Sequence, residues 1–113
     1  SLQETVSVSV AANSNGSGNV YVINGEQKAS LTLNSGTSYT FTHPAEHPLK
    51  FSTTADGTHG GGSEFTTGVD TSASGSTVID VTASSPVTLY YYCSIHAGMG
   101  GVATNSGGQA SGY

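Results

Sequence analysis

The sequence predicts an all-β fold, an antiparallel Greek-key sandwich or barrel of about seven to eight strands. Three observations carry that expectation: apolar and polar residues alternate with period two, turn signals recur every ten or so residues, and no stretch repeats apolar residues with the ~3.6-residue period of an amphipathic helix. Composition agrees, because Val, Thr and Tyr suit a pleated surface while Gly, Asn and Ser suit its turns.

The elements follow in order. "TVSVSVAA" puts Val6, Val8 and Val10 on one face and Thr5, Ser7 and Ser9 on the other, as in a half-buried strand. "NSNGSGN" is a turn, and "VYVING" is a second strand closed by Asn24-Gly25, a pair suited to left-handed turn conformations. "ASLTLNSGTSYTFT" reads as two strands joined by a short turn at Ser35-Gly36, with Tyr39 and Phe41 sharing a face. Pro44, which has no amide donor and restricts His43, ends the second of these. "HPLKFSTT" extends again, with His47, Leu49 and Phe51 on one face. The Gly-rich stretch from "ADGTHGGG" to "SASGS" is a loop with a short edge strand expected in "EFTTGV". "STVIDVTA" turns Thr77, Ile79 and Val81 one way, and "VTLYYYC" groups Val87, Leu89, Tyr91 and Cys93.

Length and charge limit the classes of function. The 113 residues are expected to form one domain, 1–113, with 103–113 a flexible tail or linker; the polar start and the ending "TNSGGQASGY" both read as linkers of a longer protein. Only 8% of residues are charged, the net charge is -5, and Lys28 and Lys50 are the two basic residues, which excludes the cationic stripe that nucleic acid or an anionic membrane surface requires. No apolar run approaches the roughly 20 residues of a membrane-spanning helix, and no basic-then-apolar leader opens the chain. One cysteine forms no internal disulfide. The Thr, Ser, Asn and Gly content with little Lys gives an extracytoplasmic expectation: periplasmic, secreted, or associated with a cell or virion surface.

The one Cys and the one Met of the chain lie on a single Gly-rich loop, "YYYCSIHAGMGG", with a His between them. Cys93, His96 and Met99 follow a C-x2-H-x2-M spacing directly after a strand. Thiolate, imidazole and thioether form a soft ligand set that suits copper, whereas calcium or magnesium would require oxygen ligands that the loop lacks. Zinc is the next metal, for which a thioether is a poor fourth ligand. Three ligands leave such a site one imidazole short. His47, at the head of a strand whose next inward residues are Leu49 and Phe51, is the first candidate, and His43, also before a proline, is its rival.

"HPLKFS" together with "YYYCSIHAGMGG" resembles the cupredoxins, the blue-copper family that includes plastocyanin and amicyanin. The resemblance lies in an early His followed by a C-terminal Cys-His-Met loop, with spacings nearer those of amicyanin. It implies one copper ion, cycling between Cu(I) and Cu(II), held by His47, Cys93, His96 and Met99. It also implies a monomeric one-electron carrier, not an enzyme, with a transient redox protein as partner. In that role Cys93 is the thiolate ligand, His47 a buried imidazole fixed by an outer hydrogen bond, His96 the surface port and Met99 the weak axial ligand, with backbone N–H groups near the sulfur tuning the potential. Small residues beside the port, Ala97, Gly98, Gly100 and Gly101, would admit a partner. A narrower resemblance, carried by "YVINGEQKASLTLNSGTSYTF" and "HPLKFSTTADGTHGGGSEFTTGV", is to a cupredoxin-like module of large surface or virion proteins of marine bacteria and their phages. It implies the alternative of a copper-binding, structural or adhesion module with no carrier role. Two features depart from common cupredoxins: the "CSIHAGM" loop has no proline, and a long Gly-rich insert surrounds His59.

The remaining candidates have plainer readings. His59, between Thr58 and three glycines, is expected in solvent or near the mouth of the site. Tyr91 is expected to pack in the core. Asp56, Glu64, Asp70 and Asp80 are spread along the chain without evident partners and are expected to serve solubility.

Overall fold

The computed structural model of the chain describes residues 2–108. Among them are ten strands: β1 (Leu2–Ala12), β2 (Asn19–Ile23), β3 (Glu26–Gln27), β4 (Leu31–Asn34), β5 (Thr37–Thr42), β6 (Leu49–Ser52), β7 (Val69–Asp70), β8 (Ser76–Asp80), β9 (Thr88–Cys93) and β10 (Gly101–Ser106). A short 3₁₀ turn spans Gly57–Gly60. The strands form two sheets, in the orders β3-β2-β1-β5-β8-β7 and β4-β10-β9-β6. This is the expected all-β sandwich, and it does not close into a barrel.

Alternation decides which side chains meet between the sheets. Val8, Tyr39, Phe41, Ile79, Leu89 and Tyr91 are all buried, each on the face its strand pattern predicts. Aromatic pairs join the two layers: Phe41 of β5 meets Phe51 of β6 edge-on with ring centroids 5.3 Å apart, and Tyr21 of β2 lies 6.1 Å from Tyr91 of β9. The β2–β3 hairpin turns through Asn24 and Gly25, both at positive φ (52° and 76°), as a two-residue primed turn requires.

Two pairings depart from the antiparallel expectation: β1 lies parallel to β5, and β10 parallel to β4. The cause is the turn at Ser35-Gly36. It delivers β4 to one sheet and β5 to the other, so each finds its neighbour at a distant part of the chain. β1 serves two partners along its length, residues 2–7 pairing with β5 and 8–12 with β2. The expected edge strand in "EFTTGV" is present in reduced form, as a single Phe65–Phe51 bridge followed by β7.

The flexible tail expected from residue 103 is corrected as far as Ser106, which ends strand β10 between β9 and β4; residues 109–113 of that expected tail lie outside the described residues. Asn105 is fully buried there. Its amide donates to the carbonyls of Thr82 and Ser85 at 3.1 and 3.2 Å and its Oδ1 accepts the Ser35 hydroxyl at 3.0 Å. Asn105→Ala leaves the buried Ser85 carbonyl without this donor and is expected to cost about 1–3 kcal/mol, measured by urea unfolding.

Burial pushes the Tyr21 and Tyr91 phenols above the usual tyrosine range, with nearby Cys93 adding to the shift at Tyr21 and Glu26 to that at Tyr91. An unfolded tyrosine titrates near pH ~10, so above that pH the unfolded chain releases protons that the folded chain keeps. The stabilisation is intact below pH ~10 and is lost as pH rises further. The urea midpoint is therefore expected to fall steeply above pH ~10, and a flat profile to pH ~11 would contradict it.

Candidate metal centre

One end of the sandwich carries the site. Cys93 is the last residue of β9, paired with Leu49 at the start of β6, and its side chain is fully buried in the core. His47 lies two residues before β6. Its backbone is held from two sides, since its N–H donates to the Pro44 carbonyl at 3.0 Å and its carbonyl accepts the Tyr21 hydroxyl at 2.6 Å. The Ser94 N–H donates to the Pro48 carbonyl at 3.0 Å, which ties the segment after His47 to the segment after Cys93. His96 stands on the loop beyond β9 and is exposed.

These bonds bring three donor atoms together. Cys93 Sγ lies 3.9 Å from His47 Nδ1 and 3.8 Å from His96 Nδ1, and the three donor atoms fall within 4.8 Å of one another. The two imidazole rings are tilted, with centroids 5.1 Å apart. Met99, returning toward β10, is buried in the core beside Cys93, and its carbonyl accepts the Tyr21 N–H at 2.9 Å. A surface cleft lined by Asn19, His47, Ile95, His96, Ala97 and Met99 opens over the group. All four residues singled out by sequence thus meet at one end of the fold.

The donor set fits a metal ion. Separations of 3.8 and 3.9 Å are wide for a direct sulfur–nitrogen hydrogen bond, yet suit bonds of about 2.0–2.3 Å converging on a common ion. Both histidines offer Nδ1, which leaves each Nε2 on the far side of its ring.

Several expectations change. His47 is half-buried rather than buried, and the hydrogen bond that fixes it falls on its backbone carbonyl. The polar groups around Cys93 Sγ are the two imidazoles and the Tyr21 hydroxyl, and no backbone N–H bonds to it among the described residues. The residue after His47 is a proline, which has no N–H to offer. The rival His43 stays outside the cluster, its Nδ1 2.8 Å from the Pro44 carbonyl and its Nε2 3.4 Å from Thr77 Oγ1. Tyr91 packs in the core as expected and donates to the Ala29 carbonyl at 2.7 Å. Glu64 pairs with Lys50 at 3.3 Å, and Asp70 accepts the N–H and hydroxyl of Ser72.

Sequence reasoning missed three contributors. Tyr21, fully buried, braces both His47 and Met99 through its hydroxyl and its N–H. Ile95, 58% exposed, stands beside His96 and adds an apolar side chain to a surface expected to be formed by small residues. Asp56 reaches the ligand loop across 42 positions of sequence to accept the Gly98 N–H. Only the apolar character of Ile95 was visible in the sequence, because backbone-directed bonds leave no spacing signature. No protein-family model, curated protein or solved structure matches this chain.

Proposed function

We propose that the chain binds one copper ion through His47, Cys93, His96 and Met99 and serves as a one-electron carrier, as its resemblance to cupredoxins implies. The observation that carries this reading is the convergence of two Nδ1 atoms on the buried Cys93 sulfur, at 3.8 and 3.9 Å, one from His96 on the same loop and one from His47, 46 positions away in sequence. A thiolate and two imidazoles with a thioether nearby favour copper over zinc, which prefers a complete Cys/His set, and over the hard cations, which prefer oxygen. Copper held there supplies one reversible electron.

The chain's own residues account for the rest of the role. Cys93 offers a sulfur shielded from water, while the anchored backbone at His47 and Met99 limits how far the donors can move. Small rearrangement is what a one-electron site needs. The exposed edge of His96, flanked by Ile95 and Ala97, is the side on which a redox protein would dock, in the weak, small-area manner of such encounters. Four donors leave no open position for a substrate, which supports a non-enzymatic role, while the Thr, Ser, Asn and Gly content with two lysines is what supports a place outside the cytoplasm.

The test is redox cycling. One equivalent of Cu(II) is expected to give a strong thiolate-to-copper absorption that ascorbate bleaches and ferricyanide restores. Met99→Leu is expected to keep the colour and shift the potential, read by voltammetry. A colourless complex, or one that does not recover after reduction, would refute the carrier role.

A further inference from the structure

The Gly-rich segment 53–62, which the proposed function does not use, is hydrogen-bonded to the donor loop at two points. The Asp56 carboxylate accepts the Gly98 N–H through both oxygens, at 3.0 and 3.1 Å. His59 Nε2 lies 2.8 Å from the Cys93 carbonyl oxygen, so that nitrogen carries the proton and donates. One bond therefore falls on the cysteine itself and the other between His96 and Met99.

The segment is fitted to this position. Gly57 sits at φ 54°, and a Cβ there would overlap the Tyr92 ring, so a glycine is needed for the backbone to lie flat on that side chain. The His59 ring meets the same tyrosine edge-on, with centroids 6.2 Å apart. The base of the segment is closed by the buried Ser52 hydroxyl, which donates to the Ser63 carbonyl at 2.6 Å. Asp56 adopts the left-handed conformation, φ 60° and ψ 16°, which Asp and Asn tolerate better than most residues.

The donor loop has reason to need such support. Residues 94–100 contain two glycines and no proline, so little within the loop restricts its backbone. A functional site holds its geometry when a supporting shell fixes the groups that carry it.

We propose that Asp56 and His59 are positioning residues, and that segment 53–62 is a splint holding the 93–99 loop in its metal-binding shape. The proposal rests on the copper reading for its purpose, but its test uses metal-free protein. Four variants separate the contributions. Asp56→Gly removes the carboxylate and accommodates the positive φ; Asp56→Asn keeps one oxygen acceptor and the backbone preference. His59→Phe keeps a ring on Tyr92 but has no donor, and His59→Gln restores a donor.

The readouts are hydrogen exchange of the Gly98 amide and the alkylation rate of Cys93 by iodoacetamide, with the Thr40 amide in central strand β5 as a control for global stability. Asp56→Gly is expected to speed Gly98 exchange roughly tenfold, with Asp56→Asn in between, as loss of a charge-assisted hydrogen bond predicts. His59→Phe is expected to speed Cys93 alkylation several-fold, ~3–10, with partial recovery in His59→Gln. Thr40 exchange is expected to stay unchanged throughout. If Gly98 and Cys93 behave as in the parent in all four variants, or change only in step with Thr40, the splint is refuted. A parent protein that binds no copper would instead refute the proposed function, leaving these rates to decide whether the segment holds the loop.

Discussion

Cys93→Ser is expected to yield a folded protein in which copper produces no strong visible absorption. The substitution changes one atom of a fully buried side chain, and the two imidazole nitrogens, 3.8 and 3.9 Å from the sulfur it replaces, stay beyond the range of a direct hydrogen bond to the new hydroxyl. Leaving one hydroxyl unpaired costs about 1–3 kcal/mol, which a domain with about 5–15 kcal/mol of stability withstands, whereas the sulfur, the only soft anionic donor in the chain, is gone. Loss of an outer partner of a metal site typically costs about 10–100-fold in affinity, so loss of the thiolate itself should cost more. Competition with a chromophoric Cu(I) chelator measures the affinity. Retained colour in Cys93→Ser would mean that copper binds elsewhere.

Phe41→Ala is expected to be the most destabilising single substitution in the core, at about 3–5 kcal/mol, against total stabilities of about 5–15 kcal/mol for domains of this kind. Phe41 is fully buried in central strand β5, and its edge contact with Phe51 joins the two sheets. Phe51→Ala should cost a similar amount, and the double substitution less than the sum, because each removes the same contact. Urea unfolding of the three variants checks both the size and the coupling. Strict additivity would show that the 5.3 Å pair contributes nothing of its own.

What was legible in the sequence followed from period-two alternation and from residue chemistry. Alternation placed Val8, Tyr39, Phe41, Ile79 and Leu89 on the core face because each strand has one dry side. The metal cluster was legible because sulfur is so scarce here that C-x2-H-x2-M stood out, and because His47 shares the alternation of Leu49 and Phe51; the structure adds that the strand after His47 pairs with the strand ending in Cys93.

The misses have equally physical causes. Strand β10 escaped because its inward residues, Ala103 and Asn105, are small or polar, so that "GVATNS" shows none of the hydrophobic contrast of a core strand. Its burial is made tolerable by hydrogen bonds to Thr82, Ser85 and Ser35, which a local pattern cannot reveal. The parallel partners of β4 and β5 lie at opposite ends of the chain, beyond the range of any turn signal. Asp56 and His59 looked like isolated polar residues because their partners are backbone groups of another loop.

The most direct test of the account is X-ray absorption at the copper edge on protein loaded with one equivalent of the metal. One short sulfur and two imidazole nitrogens are expected around each copper, with the imidazole count reduced from two to one in His47→Ala and the sulfur lost in Cys93→Ser. A shell of nitrogen and oxygen alone, or a spectrum indifferent to His47→Ala, would contradict it.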